Sequence, residues 1–215
     1  MGTYAVIDFE TTGLSPGHGA RPTEIAVVMV QGDEIVDRYQ SLMNPGVSIP
    51  YEIQSLTGIT NAMVKAAPGI AEVMQEAAEF VGSHPLVAHN AAFDRKFWEH
   101  SLSGLECQKN PVFICSLLLA RRLFPKAPNH RLATLVQTLG LPMTGRYHRA
   151  LADAEATAYL LLHLKQELLR RFSIAAVHQD LLMAIQKVSQ HKLESCISHW
   201  QLGEAKRNQD DVGGV

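Results

Sequence analysis

The chain has 215 residues, of which 47% are hydrophobic and 19% are charged, a composition typical of a soluble globular domain and not of a disordered or fibrous protein. It has no run of about 18 apolar residues that would span a membrane, no basic-then-apolar leader before the first strand, and only three cysteines, so a cytoplasmic location is expected. A net charge of −2 argues against a protein that coats nucleic acid, but not against an enzyme that holds a few nucleotides.

The first part of the chain predicts three antiparallel strands. Residues 3–9, 24–30 and 35–43 are apolar and rich in β-branched side chains, as buried strands are. The turn-like sequence Gln-Gly-Asp-Glu at 31–34 predicts a hairpin between the second and third strands.

Helices and short strands alternate through the rest of the chain. Brief apolar runs predict strands at 85–89 and 112–114, whereas helical periodicity and helix-ending Gly or Pro predict helices at 51–56, 69–81, 92–101, 116–123, 132–139, 150–172 and 174–188. The polar residues 203–215 predict a disordered tail. A hairpin followed by helix–strand alternation predicts an α/β sandwich whose central sheet is mixed.

Two carboxylates lie at the end of the first predicted strand. Asp8 and Glu10 are two residues apart, so their side chains point to the same face of the strand and can converge on one cation. Burying such a pair is costly unless a hard divalent metal compensates for it. The alternative is a pair of solvated acids at a strand end.

Two further acids lie at predicted helix starts. Asp94 falls in the first turn of the helix that follows the strand at 85–89, and Asp153 falls in the first turn of the longest helix, five residues after His148. Taken alone, Asp94 is explained by the helix dipole and His148 by an exposed loop. Taken together, the order of these segments favours one shared site.

The three acidic segments resemble the exonuclease motifs of the DEDDh 3′→5′ exonucleases. The matching stretches are VIDFETTGL at 6–14, HNAAFD at 89–94 and HRALADA at 148–154. All five signature residues occur in order, and the resemblance covers about residues 3 to 165. Within the family, the chain is similar above all to the epsilon proofreading subunit of bacterial DNA polymerase III and its free-standing relatives.

This resemblance implies a ribonuclease H-like sandwich and a site for two Mg²⁺ ions, for which Mn²⁺ can substitute. It implies that Asp8 bridges both ions, that Glu10 and Asp153 hold the ion on the nucleophile side, and that Asp94 holds the other. His148 would accept the proton of the attacking water, a role suited to a group that titrates near neutrality. The implied product is a nucleoside 5′-monophosphate released from a 3′ end.

The resemblance also implies a pocket for the terminal nucleotide of single-stranded DNA. Backbone N–H groups of Thr12 and Gly13, beside Thr11, would reach the 3′ hydroxyl, and Ile59 would wedge against the terminal base. The remaining expected pocket residues are Phe93 as part of the lining, and His89 and Asn90 as supports. A basic cluster favours local contacts with phosphates, although a solvated basic face explains it equally well; its members are Arg121, Arg122, Lys126, His130, Arg131, Arg146, His148 and Arg149.

The expected organisation is an exonuclease domain at 1–172, a helical extension packed on it at 173–202, and the tail at 203–215. The chain shows no clear clamp-binding segment, so a polymerase partner and a stand-alone repair role both remain open, as does the choice between monomer and dimer. The alternatives are an exoribonuclease that trims RNA, and a nuclease-silent nucleic-acid-binding module. A zinc site at His191, Cys196 and His199 lacks a second ligand pair.

Overall fold

The computed structural model describes residues 2–105 and 111–212, with side chains through residue 203. Its strands form one sheet in the order β3-β2-β1-β4-β5. The β1–β2 and β2–β3 pairs are antiparallel, whereas β1–β4 and β4–β5 are parallel, which confirms the predicted mixed sheet. The strands are β1 (Thr3–Thr11), β2 (Pro22–Gln31), β3 (Glu34–Leu42), β4 (Leu86–Ala88) and β5 (Phe113–Cys115).

Helices cover both faces of the sheet, and the long helix α7 packs on β1 and β2. Helices α3 and α4 lie on the other face, against β2 and β1. The helices are α1 (Tyr51–Thr57), α2 (Asn61–Lys65), α3 (Ile70–Val81), α4 (Ala91–Ser101), α5 (Ser116–Leu123), α6 (Leu132–Leu139), α7 (Ala150–Phe172), α8 (Gln179–Lys187) and α9 (Leu193–Val212).

Strand alternation explains where the functional acids emerge. Tyr4 and Val6 of β1 face the core shared with α7, while Ala5 and Ile7 face the core on the opposite side of the sheet. Asp8 continues the series that faces α7. Small residues bring that helix close to the sheet, since Ala150, Ala154 and Ala158 are all fully buried. The apolar face of β1 therefore becomes acidic at the end where α7 begins.

The C-terminal extension shares the core beneath α7, to which it contributes Leu181, Leu182 and Ile185. Its helix begins at Gln179, five residues later than predicted. The side chain of Gln186 accepts a hydrogen bond from the N–H of Cys115 at 2.7 Å and donates one to the carbonyl of Phe113 at 3.1 Å. The extension therefore supplies hydrogen bonds to β5, which lies at the edge of the described sheet.

The last helix differs from the prediction for the C-terminus. Its backbone is helical through Val212, where a disordered tail had been predicted from residue 203, and residues 213–215 lie outside the described part. The segment after Gly203 contains Glu, Ala, Lys, Arg and Gln, which have high helix propensity, and its polarity alone suggested disorder. Within residues 2–105 and 111–212, no helix combines the length and apolar content needed to cross a bilayer.

Candidate active site

The acids of β1 lie where its pairing with β2 becomes irregular. The register shifts between Glu10 and Thr11, and Glu10 lies opposite Glu24 of β2. Asp8 and Glu10 are both partly buried at the mouth of a cleft between β1 and the start of α7. Their i, i+2 spacing places both carboxylates on one face, as predicted.

Asp94 reaches the same region from the first turn of α4. The helix starts after Asn90, which has a left-handed backbone with φ of 76°. Asp94 is only 2% exposed, and its Oδ1 accepts a hydrogen bond from the N–H of Phe9 at 3.3 Å. This bond fixes Asp94 behind the segment that carries Asp8 and Glu10.

Asp153 and His148 come from the junction before α7. His148 has a φ of 64°, and its backbone N–H donates to Asp153 Oδ2 at 2.9 Å. A left-handed backbone at a residue other than Gly costs about 1–3 kcal/mol and persists only where surrounding contacts enforce it. The result is a compact group, because ligand atoms of Glu10, His148 and Asp153 all lie within 4.8 Å of one another.

Burial makes the negative charges of these acids costly. Desolvation is the main cause that raises the pKa of Glu10 to about 8, and Asp153 and Glu24 raise it further. Desolvation likewise raises the pKa of Asp94 to about 7, and it raises the pKa of Asp8 well above the ordinary range, with added repulsion from Asp94. Burial also raises the pKa of Asp153. The four groups cannot all be ionised cheaply without positive charge among them.

Divalent cations fit this donor set. Carboxylate oxygens are the ligands that Mg²⁺ prefers, and Asp153 Oδ1 is buried without a hydrogen-bond partner within the described chain. An orphaned buried carboxylate oxygen is expected where a cation or its water ligand belongs. The residues that would hold cations are Asp8, Glu10, Asp94 and Asp153.

A pocket of about 280 Å³ opens over the acids. One side is acidic and includes His148, while the other is largely apolar. It is lined by Asp8, Phe9, Glu10, Thr11, Gly13, Leu14, Ile53, Leu56, Thr57, Phe93, His148 and Asp153. The pocket thus joins four of the five predicted signature residues to predicted lining residues Thr11, Gly13 and Phe93, while Asp94 lies behind it.

Two residues predicted to contact the terminal nucleotide, Ile59 and Thr12, do not line this pocket. Ile59 is fully buried in a small cluster with Ile49 and Val64, because the left-handed turn at Gly58 directs it inward. The N–H of Thr12 donates to the carbonyl of Arg21 at 2.8 Å, so it is engaged in closing the loop between β1 and β2. The pocket is lined near this point by α1, through Ile53, Leu56 and Thr57, and not by Ile59, which was predicted to wedge against the terminal base.

The residues predicted to support or line the pocket, His89, Asn90 and Phe93, differ in their surroundings. Both ring nitrogens of His89 have protein partners at 2.9 Å, the hydroxyl of Ser116 and the carbonyl of His130, and burial lowers its pKa. His89 is therefore a structural support. Asn90 is exposed at the start of α4, and Phe93 packs on Phe97 with ring centroids 5.0 Å apart while lining the pocket.

Some members of the predicted basic cluster form hydrogen bonds or ion pairs within the protein. Arg122 donates to the carbonyls of Val188 and Gln186, and Arg149 pairs with Glu24. The exposed members of the cluster are Arg121, Lys126, Arg131, Arg146 and His148. Among the described residues, the group whose three ligand atoms all lie within 4.8 Å of one another is Glu10, His148 and Asp153. His191, Cys196 and His199 are also among the described residues and form no such group, so the zinc site is not formed.

Besides the lining residues of α1, the sequence motifs did not indicate Glu24, which lies near the site. It is fully buried and opposite Glu10, and its carboxylate binds Arg149 and the N–H of Ala150. The available signal was a single acid within the otherwise apolar strand β2, since a buried carboxylate requires partners.

Comparisons with known proteins agree with this geometry. Residues 5–161 match the exonuclease family model RNase_T. PolC-type DNA polymerase III of Bacillus cereus is 44% identical over 171 residues, which are 79% of this chain and 12% of that protein. The Bacillus subtilis protein of the same type is 43% identical over 168 residues, 77% of this chain and 12% of its own length. The chain thus spans about 12% of the length of these polymerases.

Solved structures show the same fold. Exonuclease X in complex with 5′ overhanging duplex DNA is 31% identical, with a TM-score of 0.66 over 85% of this chain and 99% of that chain. The nuclease domain of 3′hExo, a DEDDh family member bound to rAMP, is 22% identical, with a TM-score of 0.66 over 82% and 96% of the two chains. At that identity the second likeness supports the ribonuclease H-like fold alone.

The family match covers most of the chain and includes all three acidic segments. The chain therefore belongs to the exonuclease family and is a 3′→5′ exonuclease with a ribonuclease H-like fold.

Proposed function

We propose that the chain hydrolyses the terminal phosphodiester bond of single-stranded DNA 3′ ends by a two-metal mechanism and releases nucleoside 5′-monophosphates. The observation that carries this proposal is the pocket in which Asp8, Glu10, Asp153 and His148 face a largely apolar wall. A volume of about 280 Å³ suits one nucleotide more than a duplex end.

Asp8, Glu10, Asp94 and Asp153 would hold two divalent cations, Mg²⁺ or Mn²⁺. Such cations, when bound, supply an activated water and stabilise the negative charge that develops on the departing 3′ oxygen. After burial, the charges of Asp94, Glu10 and Asp153 all raise the pKa of Asp8, so its carboxylate is near each of them and is suited to share both ions. Asp94, held by the Phe9 N–H, would serve the second ion.

His148 would accept the proton of the attacking water. It is exposed at the pocket rim, where it can take up a proton and return it to solvent. Its distance from Glu10 and Asp153, within 4.8 Å, places it beside the carboxylates that would bind the nucleophile-side ion. Histidine is the side chain that most often acts as a general base.

The apolar wall would hold the terminal base. Phe93, Leu56 and Ile53 offer faces for stacking and van der Waals contact that do not depend on base identity, so we expect cleavage with little sequence preference. Gly13 and Thr11 also line the pocket and would contact the terminal sugar. DNA is the preferred substrate because the relative that is 31% identical holds DNA in its solved structure.

The polymerase relatives suggest the cellular setting. They are DNA polymerases that contain a segment 43–44% identical to this chain, so 3′ ends left by DNA synthesis or repair are the proposed substrates. A primer with a 3′ mismatch would then be shortened faster than a matched primer, because its end frays into single strands. Comparing the two rates tests this setting separately from the chemistry.

The deciding experiment uses 5′-labelled single-stranded DNA and RNA of one sequence, each with Mg²⁺, with Mn²⁺ or with EDTA. The proposal requires a ladder that shortens from the 3′ end, depends on metal, and is absent in Asp8→Ala. Faster cleavage of RNA would replace the DNA assignment by an exoribonuclease. Intact oligonucleotides in every metal condition would overturn the two-metal mechanism.

A further inference from the structure

The catalytic junction before α7 is held by contacts from outside its own segment. His148 has a strained left-handed backbone, and the next residue, Arg149, occupies the helix N-cap position without a capping side-chain bond. The usual N-cap residues, Ser, Thr, Asp and Asn, satisfy the free N–H groups of a first turn. Within its own segment the junction has the bond from the His148 N–H to Asp153 Oδ2, and no N-cap side chain adds to it.

Glu24 of β2 supplies the missing cap from 126 residues away. One of its carboxylate oxygens accepts the N–H of Ala150 at 2.9 Å and the Nε of Arg149 at 3.1 Å. The other accepts the Arg149 guanidinium at 2.7 Å and the side-chain amide of Gln40 at 2.8 Å. A carboxylate at a helix N-terminus is also favoured by the helix dipole.

We propose that Glu24 and Arg149 form a clamp that positions His148 over the carboxylates, and that both act as positioning residues for the exonuclease reaction. Glu24 is opposite Glu10 in the β1–β2 pairing, so the clamp ties the start of α7 to the strand beside Glu10. Arg149 directly follows His148 in the chain. The two hydrogen bonds between the Arg149 guanidinium and Glu24 therefore restrain the backbone at His148. This proposal rests on the role of His148 proposed above.

The Glu24–Arg149 pair is more buried than an ordinary surface ion pair, and this burial matters for positioning His148. The Glu24 side chain is 0% exposed and the Arg149 side chain 35%. A buried carboxylate with four donors has one well-defined position, whereas exposed ion pairs exchange among several. The clamp thus gives the junction the fixed geometry that general base catalysis needs.

The test variant removes both charges at once, as Glu24→Gln/Arg149→Met. Removing Arg149 alone would leave a buried carboxylate unpaired and risk unfolding. Glu24 and Arg149 also shift the pKa of Glu10 in opposite directions, so the paired change disturbs Glu10 less than either single change. Arg149→Lys is the milder second variant, because it keeps the charge but cannot form the two-pronged contact.

Lys165→Met is the matched control. Lys165 lies on the same helix, its amino group is buried, and it donates to the carbonyl of Gly32 at 2.5 Å, far from the junction. Its loss should lower the thermal midpoint of unfolding without changing kcat. A merely structural role for the clamp would give the same pattern.

We expect the paired variant to lower kcat roughly 100-fold, as small misplacements of catalytic groups do, with a much smaller change in KM. Arg149→Lys should fall between the paired variant and the wild type, and it carries the test alone if the paired variant does not fold. In a His148→Ala background the paired change should have almost no further effect, since residues acting through one group are not additive.

Three results would overturn the proposal. The first is a folded paired variant with wild-type kcat, and the second is a loss that multiplies fully with that of His148→Ala. The third is a His148→Ala variant as active as the wild type, which would remove the base assignment and the clamp's role with it. The first two leave the two-metal exonuclease intact, so the failures are distinguishable.

Discussion

The buried carboxylates predict an unusual pH dependence of stability in the metal-free protein. The pKa of Glu10 is about 8 in the folded state against an ordinary value of 4.5. A raised carboxyl pKa means that the folded state binds the proton more tightly. This contribution to stability is present below about pH 4 and is lost as the pH rises to about 8.

Each pH unit in that window is worth about 1.4 kcal/mol, so Glu10 alone lowers the free energy of unfolding by about 4 kcal/mol between pH 5 and 8. Asp94, whose pKa is about 7, acts in the same direction. For a chain of this size, 1 kcal/mol corresponds to about 2–4 °C in the unfolding midpoint. The metal-free midpoint should therefore fall by roughly 8–16 °C across this window from Glu10 alone, and by more with Asp94.

Thermal unfolding in EDTA at pH 5, 6, 7, 8 and 9 measures this fall, and repeating the series with Mg²⁺ tests its cause. Cations compete with protons for the same oxygens, so Mg²⁺ should raise the midpoint more at pH 8 than at pH 5. Glu10→Gln is the control and should show a shallower pH dependence with a smaller gain from Mg²⁺. A flat profile in EDTA, or equal stabilisation by Mg²⁺ at both pH values, would refute the reasoning.

Three further variants test single contacts. His148→Ala should lower kcat about 10²–10⁴-fold in a single-turnover assay, because the attacking water loses its base, and an unchanged rate would exclude that role. Phe93→Ala should raise KM by about tenfold in steady-state kinetics through lost stacking, while an unchanged KM would place the base elsewhere. Gln186→Leu should reduce the free energy of unfolding in urea by about 1–3 kcal/mol, because the N–H of Cys115 and the carbonyl of Phe113 lose their partner. An unchanged urea midpoint would show that water replaces Gln186.

The sequence was most informative where function depends on local spacing. Asp8 and Glu10 share a face because strand side chains alternate, and the acids at 94 and 153 lie in first turns that local patterns predict. The hairpin near the start of the chain indicated the mixed sheet, since the two strands of a hairpin pair antiparallel. Each of these features is determined by residues that lie within a few positions of one another in the sequence.

Tertiary structure decided what depends on distant partners. Ile59 is close in sequence to the pocket wall, but the turn at Gly58 buries it and leaves Leu56 at the pocket. The N–H of Thr12, predicted to reach the 3′ hydroxyl, pairs instead with the carbonyl of Arg21 across a loop. A single backbone turn can redirect a side chain, and a single hydrogen bond can occupy a backbone N–H. Neither can be read from the spacing of residues in the sequence.

The sequence by itself determined the acid set, the histidine and the order of the elements that carry them. Only the tertiary structure showed that Glu24, 125 residues from Arg149, caps the helix beside His148, and that Gln186 supplies hydrogen bonds to β5. The physical reason is that alternation and helical period are properties of a short segment, whereas burial and the pairing of a buried charge depend on what the whole fold places beside it.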